Sequence, residues 1–437
     1  MENVDVELGD VDNIRDTVHI LLGCVQKVLN GKVQFSPIYM APTRLRNLSP
    51  NSFNPRVVSI GPLHKEDKSL QITEGEKYTY LHDLLSRLDS PPEQTLKACA
   101  KKVNASIDRI RACYNGMKTY SDVDLAKIMV MDACFILEFI FKLFRYGTSI
   151  TYNRLFVRSV ALDLVLIENQ MPFFVLQDIF ECTILKMDPE ASLTTMLSYL
   201  LEYINPFSGN FNIENIGQET THDHILGLLH KLYLPSHPKP SNVSSLPIAH
   251  SALELYRAGV KFQPNRNMTW PLAMDLKFCN CKHPIFSLFG AKPNLSIPVI
   301  CINDVTEVVL RNLIVYEQYT PVYNYVTSYA MAMNMLVDTP VDICKLVESK
   351  VVINHLGSNE KAAKMMNTIC KEVTFQDFYY TEQWENMDRY YNGYFPRNLA
   401  KLKRYYFSGP WHVIVLVGGI LMFAITVVQT IFTIKPT

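Results

Sequence analysis

The chain has 437 residues, of which 48% are hydrophobic and 11% aromatic, and this supplies enough apolar material for a large packed core. Its 42 Lys and Arg residues balance its 42 Asp and Glu residues. No overall positive field attracts nucleic acid, and we predict no nucleic-acid partner.

The N-terminal part of the chain divides into two stretches of different character. Residues 1–35 form an N-terminal segment with several acidic residues and one short amphipathic stretch, and they lack the layout of a secretory signal peptide. Between Ile38 and His64, prolines recur often enough to exclude a long helix. We predict an extended, ordered segment there.

The spacing of apolar residues then predicts a series of helices. Residues 78–88 place leucines at i, i+3, i+4 and i+7, and 94–118 predict a second amphipathic helix. Residues 125–144 are far more apolar but contain charged side chains, each of which would cost about 2.5–3.5 kcal/mol near a bilayer centre. We interpret 125–144 as a central core helix. Residues 160–170 predict another buried helix, which Pro172 ends or kinks.

The middle of the chain combines a loop with a small sheet. Residues 205–250 are rich in Asn, Gly, His, Ser and Pro, and predict a loop or a loosely ordered insertion. Residues 251–259 predict a short helix that stops at Gly259 in the left-handed conformation. Apolar residues between Val260 and Ile302, separated by turn residues, predict short strands.

Helices return in the C-terminal part of the domain. Ser358 is a predicted N-cap, and the aromatic stretch 376–406 predicts a further helix. The fold class is therefore mainly α: a large helical domain over 36–406 with a small β-sheet insertion, followed by one C-terminal transmembrane helix. The four predicted helices before the aromatic stretch are 307–319, 323–336, 341–349 and 359–371.

The transmembrane helix is predicted at 411–434. The stretch from Val413 to Ile434 carries no charge, and at about 1.5 Å per residue it would span the roughly 30 Å hydrocarbon layer. Trp411 would lie at the headgroup boundary. The lipid bilayer is thus a predicted partner, and basic residues before the span predict a single-pass protein with a cytosolic domain. Those residues are Lys401, Lys403 and Arg404.

Two features bear on that topology. Ten scattered cysteines, several in apolar surroundings, predict reduced thiols rather than a disulfide framework. Five Asn-x-Ser/Thr sequons favour the opposite, lumenal placement. They lie at Asn47, Asn104, Asn242, Asn267 and Asn294.

No familiar motif of catalysis or cofactor binding occurs. The dinucleotide and phosphate-binding loops and the nucleophile-elbow and zinc-protease motifs are absent, so we predict no catalytic residues, no cofactor and no enzyme activity. Cys279, Cys281 and His283 alternate and would share one face of a strand, but structural zinc sites use other spacings. We predict no metal site and no small-molecule ligand.

A candidate polar cluster lies inside apolar segments. Glu168, Asn169 and Gln170 precede Pro172. Polar side chains buried there need hydrogen-bond partners, and we expect them to bind the carbonyls that the proline break leaves free. Glu317 and Gln318 invite the same structural interpretation. The alternative is a catalytic carboxylate whose pKa burial raises.

Several blocks of the chain, in one order, resemble the plant domain-of-unknown-function 247 family over about residues 36–434. They include Ser59 to His64, Met131 to Glu138, Asp163 to Leu176, Gly259 to Phe262 and the Pro410-Trp411 pair. The resemblance implies a membrane-associated plant protein with a helical fold and no established catalytic residues. Some relatives are pollen-side determinants of self-incompatibility in grasses, and others are linked to sex determination or reproductive barriers.

Three functions are compatible with these observations. The first is a membrane-anchored recognition or signalling protein that binds another protein through its helical domain. The second is an adaptor that recruits proteins to a membrane. The third is an enzyme of unrecognised mechanism that uses Glu168 or Glu317; an open pocket around these carboxylates would favour the enzyme, and a closed core would count against it.

Overall fold

The computed structural model describes residues 14–23, 36–147, 154–209, 211, 222–238, 247–265, 270–279, 292–374, 377–393, 398 and 410–434. Their helices, in chain order, are α1 (14–23), α2 (Thr43–Leu48), α3 (Gln71–Ser86), α4 (Pro92–Ala105), α5 (Ile107–Ala112), α6 (Asp122–Tyr146), α7 (Arg154–Asp163), α8 (Phe173–Cys182), α9 (Ile184–Met187), α10 (Leu193–Leu201), α11 (Ile225–Leu232), α12 (Ala252–Ala258), α13 (Asp304–Tyr319), α14 (Tyr325–Leu336), α15 (Pro340–Glu348), α16 (Asn359–Ile369), α17 (Thr381–Tyr391) and α18 (Pro410–Ile434).

Short strands form three small sheets. One pairs β1 with β2 in parallel, the second has the order β3-β5-β4, and the third pairs β6 with β7 in parallel. The predicted small sheet is confirmed by the second of these. The strands are β1 (Ile38–Tyr39), β2 (Tyr114–Asn115), β3 (Lys261–Pro264), β4 (Asp275–Cys279), β5 (Lys292–Ile297), β6 (Ile300–Ile302) and β7 (Val352–Asn354).

Helix α6 is the centre of the N-terminal half. Ser121 accepts a hydrogen bond from the Asp124 N–H and so caps its first turn. From Leu125 to Leu143 most side chains are buried, and α3, α4, α8 and α10 pack around them. A helix that is apolar on nearly all sides is stable only inside a core. The prediction that 125–144 is a core helix is therefore confirmed.

Helix α13 has the same central position in the C-terminal half. It is buried along most of its length and packs against α11, α14 and α16. The four helices predicted between 307 and 371 are confirmed to within a few residues, whereas in the predicted helix 376–406 the longest helix among the described residues is Thr381–Tyr391. Ser358 caps α16 by accepting from the Lys361 N–H, and Gly259 ends α12 with a φ of 109°.

The predicted helix at 160–170 is only partly present. Helix α7 ends at Asp163, and residues 164–170 form a buried loop of turns. Apolar spacing cannot distinguish a buried helix from a buried loop, and hydrogen bonds from side chains replace those of the helix in this loop. Residues 225–232, inside the stretch predicted to be a loop or insertion, form the buried helix α11.

The C-terminal helix α18 occupies the residues predicted to span a membrane. Among the described residues, however, no helix is both long and apolar enough to cross a bilayer. The prediction of a transmembrane helix at 411–434, anchored by Trp411, Val413 and Ile434, is contradicted. Single-pass membrane localisation is contradicted with it.

Candidate functional site

An irregular backbone segment, residues 56–64, crosses the core between α2 and α3. It belongs to no helix or strand, so its buried N–H groups need partners from side chains. The carboxylate of Asp163 supplies three of them, accepting from Arg56, Val57 and Val58 at 2.9, 2.7 and 2.9 Å. Burial raises the pKa of Asp163 to about 6, although these three bonds act in the opposite direction.

The amide of Asn169 continues this arrangement. Its Oδ1 accepts from the Ile60 N–H at 2.7 Å, and its Nδ2 donates to the carbonyls of Val58 and Asp163 at 3.0 and 2.9 Å. One fully buried side chain thus joins the segment to the end of α7. We call the side chains that hold residues 56–64, together with Glu168 and Gln170, the polar clamp.

Gln170 holds the other side of the buried loop. Its Nε2 donates to the carbonyls of Leu164 and Leu166 at 2.7 and 2.8 Å, and its Oε1 accepts from the Leu226 N–H at 3.2 Å. If α7 continued, these carbonyls would accept the hydrogen bonds of the helix. Gln170 therefore stabilises the loop that replaces the predicted helix.

Lys77 is the one fully buried lysine among the described residues, and it completes the polar clamp. Its ammonium group donates to the carboxylates of Asp132 and Glu74 and to the Ser59 carbonyl. Burial lowers its pKa, but the two carboxylates outweigh burial and raise the pKa of Lys77 above its ordinary value. Asp132 also accepts the Gly61 N–H at 2.8 Å. Lys77 stays charged inside the core.

Glu168 connects the polar clamp to the protein surface. Its Oε1 accepts from the Ala41 N–H at 2.9 Å, and its Oε2 lies 3.0 Å from His64 Nε2 and 3.4 Å from Arg46. Glu168 itself is fully buried, whereas the Arg46 side chain is partly exposed. Both carboxylate oxygens therefore already have partners.

Glu317 belongs to a different cluster. It accepts from the N–H groups of Val326 and Thr327 at 2.9 and 2.6 Å, which are free donors in the first turn of α14. Its Oε1 also lies 2.9 Å from His230 Nε2. Gln318 is partly exposed and accepts from the Thr374 N–H at 2.9 Å. The five predicted cluster residues thus occupy three places, and only Glu168, Asn169 and Gln170 lie together.

The sequence analysis missed several members of these clusters. Asp132 had a recognisable signal, since it interrupts an apolar helix and so required a buried partner. Lys77, Asp163 and Asn312 had no such signal. Asn312 joins both halves of the core, because its Oδ1 accepts from Ile167 at 2.9 Å and its Nδ2 donates to the Ser52 carbonyl at 2.6 Å.

Metal ligands do not converge in the part of the chain that the structure describes: no group of three or more His, Cys, Asp or Glu residues is placed to hold an ion. The alternating Cys279, Cys281 and His283 lie outside this statement, because their side chains are not among the described ones. The side chains of the polar clamp line neither the cleft at Asn303 and Leu356 nor the cleft at Tyr199, although Arg56, whose N–H binds Asp163, borders the first.

Exposed aromatic side chains form a second feature, which we call the aromatic surface: Phe144, Tyr199 and Tyr203. Their exposed fractions are 46%, 40% and 39%. Phe144 contacts Tyr199 edge-on at a centroid distance of 6.0 Å, and Tyr199 contacts Tyr203 at 6.1 Å. The three rings line a cleft of about 520 Å³ together with Glu202.

A smaller cleft of about 200 Å³ adjoins the aromatic surface at Phe144. Asp188 and Glu190 line it, together with Arg145, which is the one cation among the described residues around the two clefts. Arg145 is paired with Asp188 at 3.0 Å. The rim of the aromatic surface is therefore predominantly acidic.

Fold and clamp together define a mainly α-helical protein in which buried polar side chains fasten an irregular segment into the core. The family model described as "Plant protein of unknown function", domain-of-unknown-function 247, matches residues 38–425, and the chain belongs to this family. The family has no established activity. The resemblance found in the sequence is thereby confirmed.

Two relatives from Arabidopsis thaliana match along most of their length. UPF0481 protein At3g47200 is 25% identical over 425 residues, covering 90% of this chain and 85% of the relative. Putative UPF0481 protein At3g02645 is 24% identical over 476 residues, covering 90% and 89%. No solved structure matches significantly.

Proposed function

We propose that this protein binds another protein as a recognition or signalling component, and that the aromatic surface is the contact. The observation that carries the proposal is the exposure, beside a cleft, of Tyr199 and of the two rings that contact it. Tyrosine and phenylalanine bury large areas at little entropic cost, and they are enriched where protein interfaces form.

The charges at the rim specify the partner's chemistry. Glu190 and Glu202 lie beside the rings, while Arg145 is neutralised by Asp188. A partner segment with Lys or Arg next to an apolar anchor would complement this surface, because opposite charges at a rim accelerate and orient association. We therefore assign a basic, aromatic- or leucine-containing segment of another protein.

A non-catalytic role for the polar clamp is part of the proposal. Both oxygens of Glu168 and both oxygens of Glu317 already have hydrogen-bond partners. A general base must reach a proton of the substrate, whereas the oxygens of these buried carboxylates are already engaged by backbone N–H groups and by the side chains of His64 and His230. We assign them to holding the backbone.

The test is a selection of displayed random peptides on the full chain, followed by fluorescence anisotropy of the enriched peptides. We expect enriched sequences in which Lys or Arg flanks an aromatic or aliphatic residue. Tyr199→Ala should weaken their binding by about tenfold or more, as loss of a central aromatic contact does. Glu190→Lys should weaken binding mainly at low salt.

The matched control is Tyr78→Ala, since Tyr78 is 57% exposed on α3 and lines neither cleft. It should leave binding unchanged. Equal binding of the enriched peptides to wild type and to Tyr199→Ala would refute the assignment of the surface. Enrichment of acidic peptides would refute the assignment of the partner.

A further inference from the structure

Cys301 lies at a partly exposed position of strand β6. It is the middle residue of β6, where Ile300 and Ile302 point into the core and the Cys301 side chain points outward. The backbone is held on both sides, because Cys301 pairs with Ile353 of β7 and its N–H donates to the Pro206 carbonyl at 2.7 Å. The sulfur is thus presented at a defined place.

Two polar side chains lie within hydrogen-bonding reach of the sulfur. The Cys301 Sγ lies 3.4 Å from His355 Nδ1, and the Asn303 Nδ2 donates to it at 3.7 Å. Neither neighbour is free to drift: the His355 N–H donates to the Ile302 carbonyl at 2.8 Å, and Asn303 Oδ1 caps α13 by accepting from Val305. A thiol beside a base, a donor and a helix N-terminus is the environment in which cysteines become nucleophilic.

Other described cysteines lack this environment. Burial raises the pKa of Cys99 to about 12 and that of Cys113 to about 11, which keeps both as thiols. Cys344 is exposed, but the partner of its sulfur is the carboxylate of Glu348 at 3.8 Å and not an imidazole. Cys344 is therefore an exposed comparison for Cys301.

A cleft of about 620 Å³ adjoins the pair, bordered by Asn303 and by Leu356, the residue after His355. Its walls also carry three cationic and two anionic side chains. The charge of one carboxylate is neutralised, because Glu307 forms an ion pair with Arg311 at 2.8 Å. Positive charge therefore prevails in the cleft that Asn303 and Leu356 border. The cations are Arg56, Lys361 and Lys364, and the carboxylates are Asp304 and Glu307.

We propose that Cys301 is a site of reversible modification by an anionic low-molecular-weight disulfide of the glutathione type, with His355 as the base. The Cys301 sulfur attacks one sulfur of the disulfide, a new S–S bond forms, and the disulfide's own S–S bond breaks. His355 takes the thiol proton and passes it to the departing thiolate. One protein thiol is oxidised to the mixed disulfide while one small thiol is released.

The test exposes the reduced full chain to glutathione disulfide without denaturant and follows each cysteine by peptide mass spectrometry. We expect Cys301 to acquire the adduct before Cys344, and His355→Gln to slow this by about tenfold. The doubly substituted Lys361→Ala/Lys364→Ala chain should react more slowly with glutathione disulfide, but normally with the neutral 2-hydroxyethyl disulfide. Circular dichroism of each variant confirms that it is folded.

Cys344→Ser serves as the matched control and should leave modification of Cys301 unchanged. Modification of Cys344 as fast as Cys301, or an unaltered rate in His355→Gln, would overturn the proposal. Equal slowing of both disulfides by the lysine substitutions would overturn the preference for an anionic disulfide. The peptide-binding test of the aromatic surface is independent of all these outcomes.

Discussion

The carbonyl oxygen of Gln170 lies 2.6 Å from the position that a Cβ atom on Gly61 would occupy. The buried loop before α8 and the irregular segment before α3 thus touch backbone to backbone. The hydroxyl of Tyr114 donates to the same carbonyl at 3.0 Å and lies 2.8 Å from that Cβ position. Three segments distant in the chain therefore meet where only glycine fits.

This contact predicts a large effect of Gly61→Ala. Gly61 has a φ of 71°, so the substitution adds backbone strain to a clash with fixed backbone. We expect the free energy of unfolding to fall by about 2–4 kcal/mol, measured by urea denaturation. Gly116 has a φ of 79° with nothing within 4 Å of its Cβ position. Gly116→Ala should therefore cost only about 1 kcal/mol, and equal losses would contradict the packing explanation.

The buried ion pair of Lys77 and Asp132 predicts that substitutions of these two residues have coupled effects on stability. Lys77→Met leaves the buried carboxylate of Asp132 without its ammonium partner, and should lower the free energy of unfolding by about 3–5 kcal/mol. Lys118→Met, which breaks an exposed pair with Glu66, should have no measurable effect. The double variant Lys77→Met/Asp132→Asn should lose less than the sum of the two single losses. Additive losses would show that the pair is not coupled.

Asp163 predicts a pH dependence of stability. Burial raises its pKa in the folded chain to about 6, from an ordinary value of 3.8. The folded state therefore binds the proton more tightly than the unfolded state does. The resulting stability is fully present below pH 3.8 and is lost as pH rises through about 6. It amounts to about 3 kcal/mol over the whole window and about 1 kcal/mol between about pH 5 and about pH 7.

The measurement compares wild type with Asp163→Asn by urea denaturation at several pH values. The difference between the two unfolding free energies should shift in favour of wild type as pH falls through this window. A difference that stays constant would contradict the raised pKa of Asp163, and a shift in favour of the variant would show that folding lowers this pKa instead. Asp83 supplies a control, since its bond to Lys142 lowers its pKa, and Asp83→Asn should not reproduce the shift.

Glu317 predicts the contribution of a buried cap. Glu317→Ala leaves the N–H groups of Val326 and Thr327 unpaired in the core and removes one of the two partners of His230 Nε2, so we expect a loss of about 2–4 kcal/mol. Gln318→Ala removes only a partly exposed bond to Thr374 and should cost less than about 1 kcal/mol. Thermal unfolding of both variants compares these two losses of stability. Equal losses of stability in the two variants would mean that burial of the Glu317 cap does not increase its contribution to stability.

Local signals in the chain predicted the elements that depend on close neighbours. The apolar residues of 125–144, the cap at Ser358 and the stop at Gly259 all appear in the structure. Each rests on residues within about one or two helical turns, which one sequence contains in full. Glu168, Asn169 and Gln170 were recognisable for a similar reason, because polar residues in an apolar run must be satisfied.

Partners of these side chains could not be inferred in the same way. Asp163 binds Val58, which lies 105 residues away, and Asn312 binds Ser52, 260 residues away. Helix α7 ends at Asp163, where apolar spacing had predicted a continuing helix. Hydrogen bonds from side chains compete there with those of the helix, and apolar spacing does not reveal this competition. Composition alone likewise predicted a membrane span at 411–434, and the described helices do not support it.

By itself, then, the amino-acid sequence determined where periodic helices and short strands form and which polar residues enter the core. Only the tertiary structure decided that Asp132, Asp163 and Asn169 hold one irregular segment, that Glu317 serves another helix, and that Cys301 meets His355. The physical reason is the sequence separation over which each kind of interaction acts. Periodicity and capping act within a few residues, whereas a buried hydrogen bond depends on which distant segments the packed core brings together.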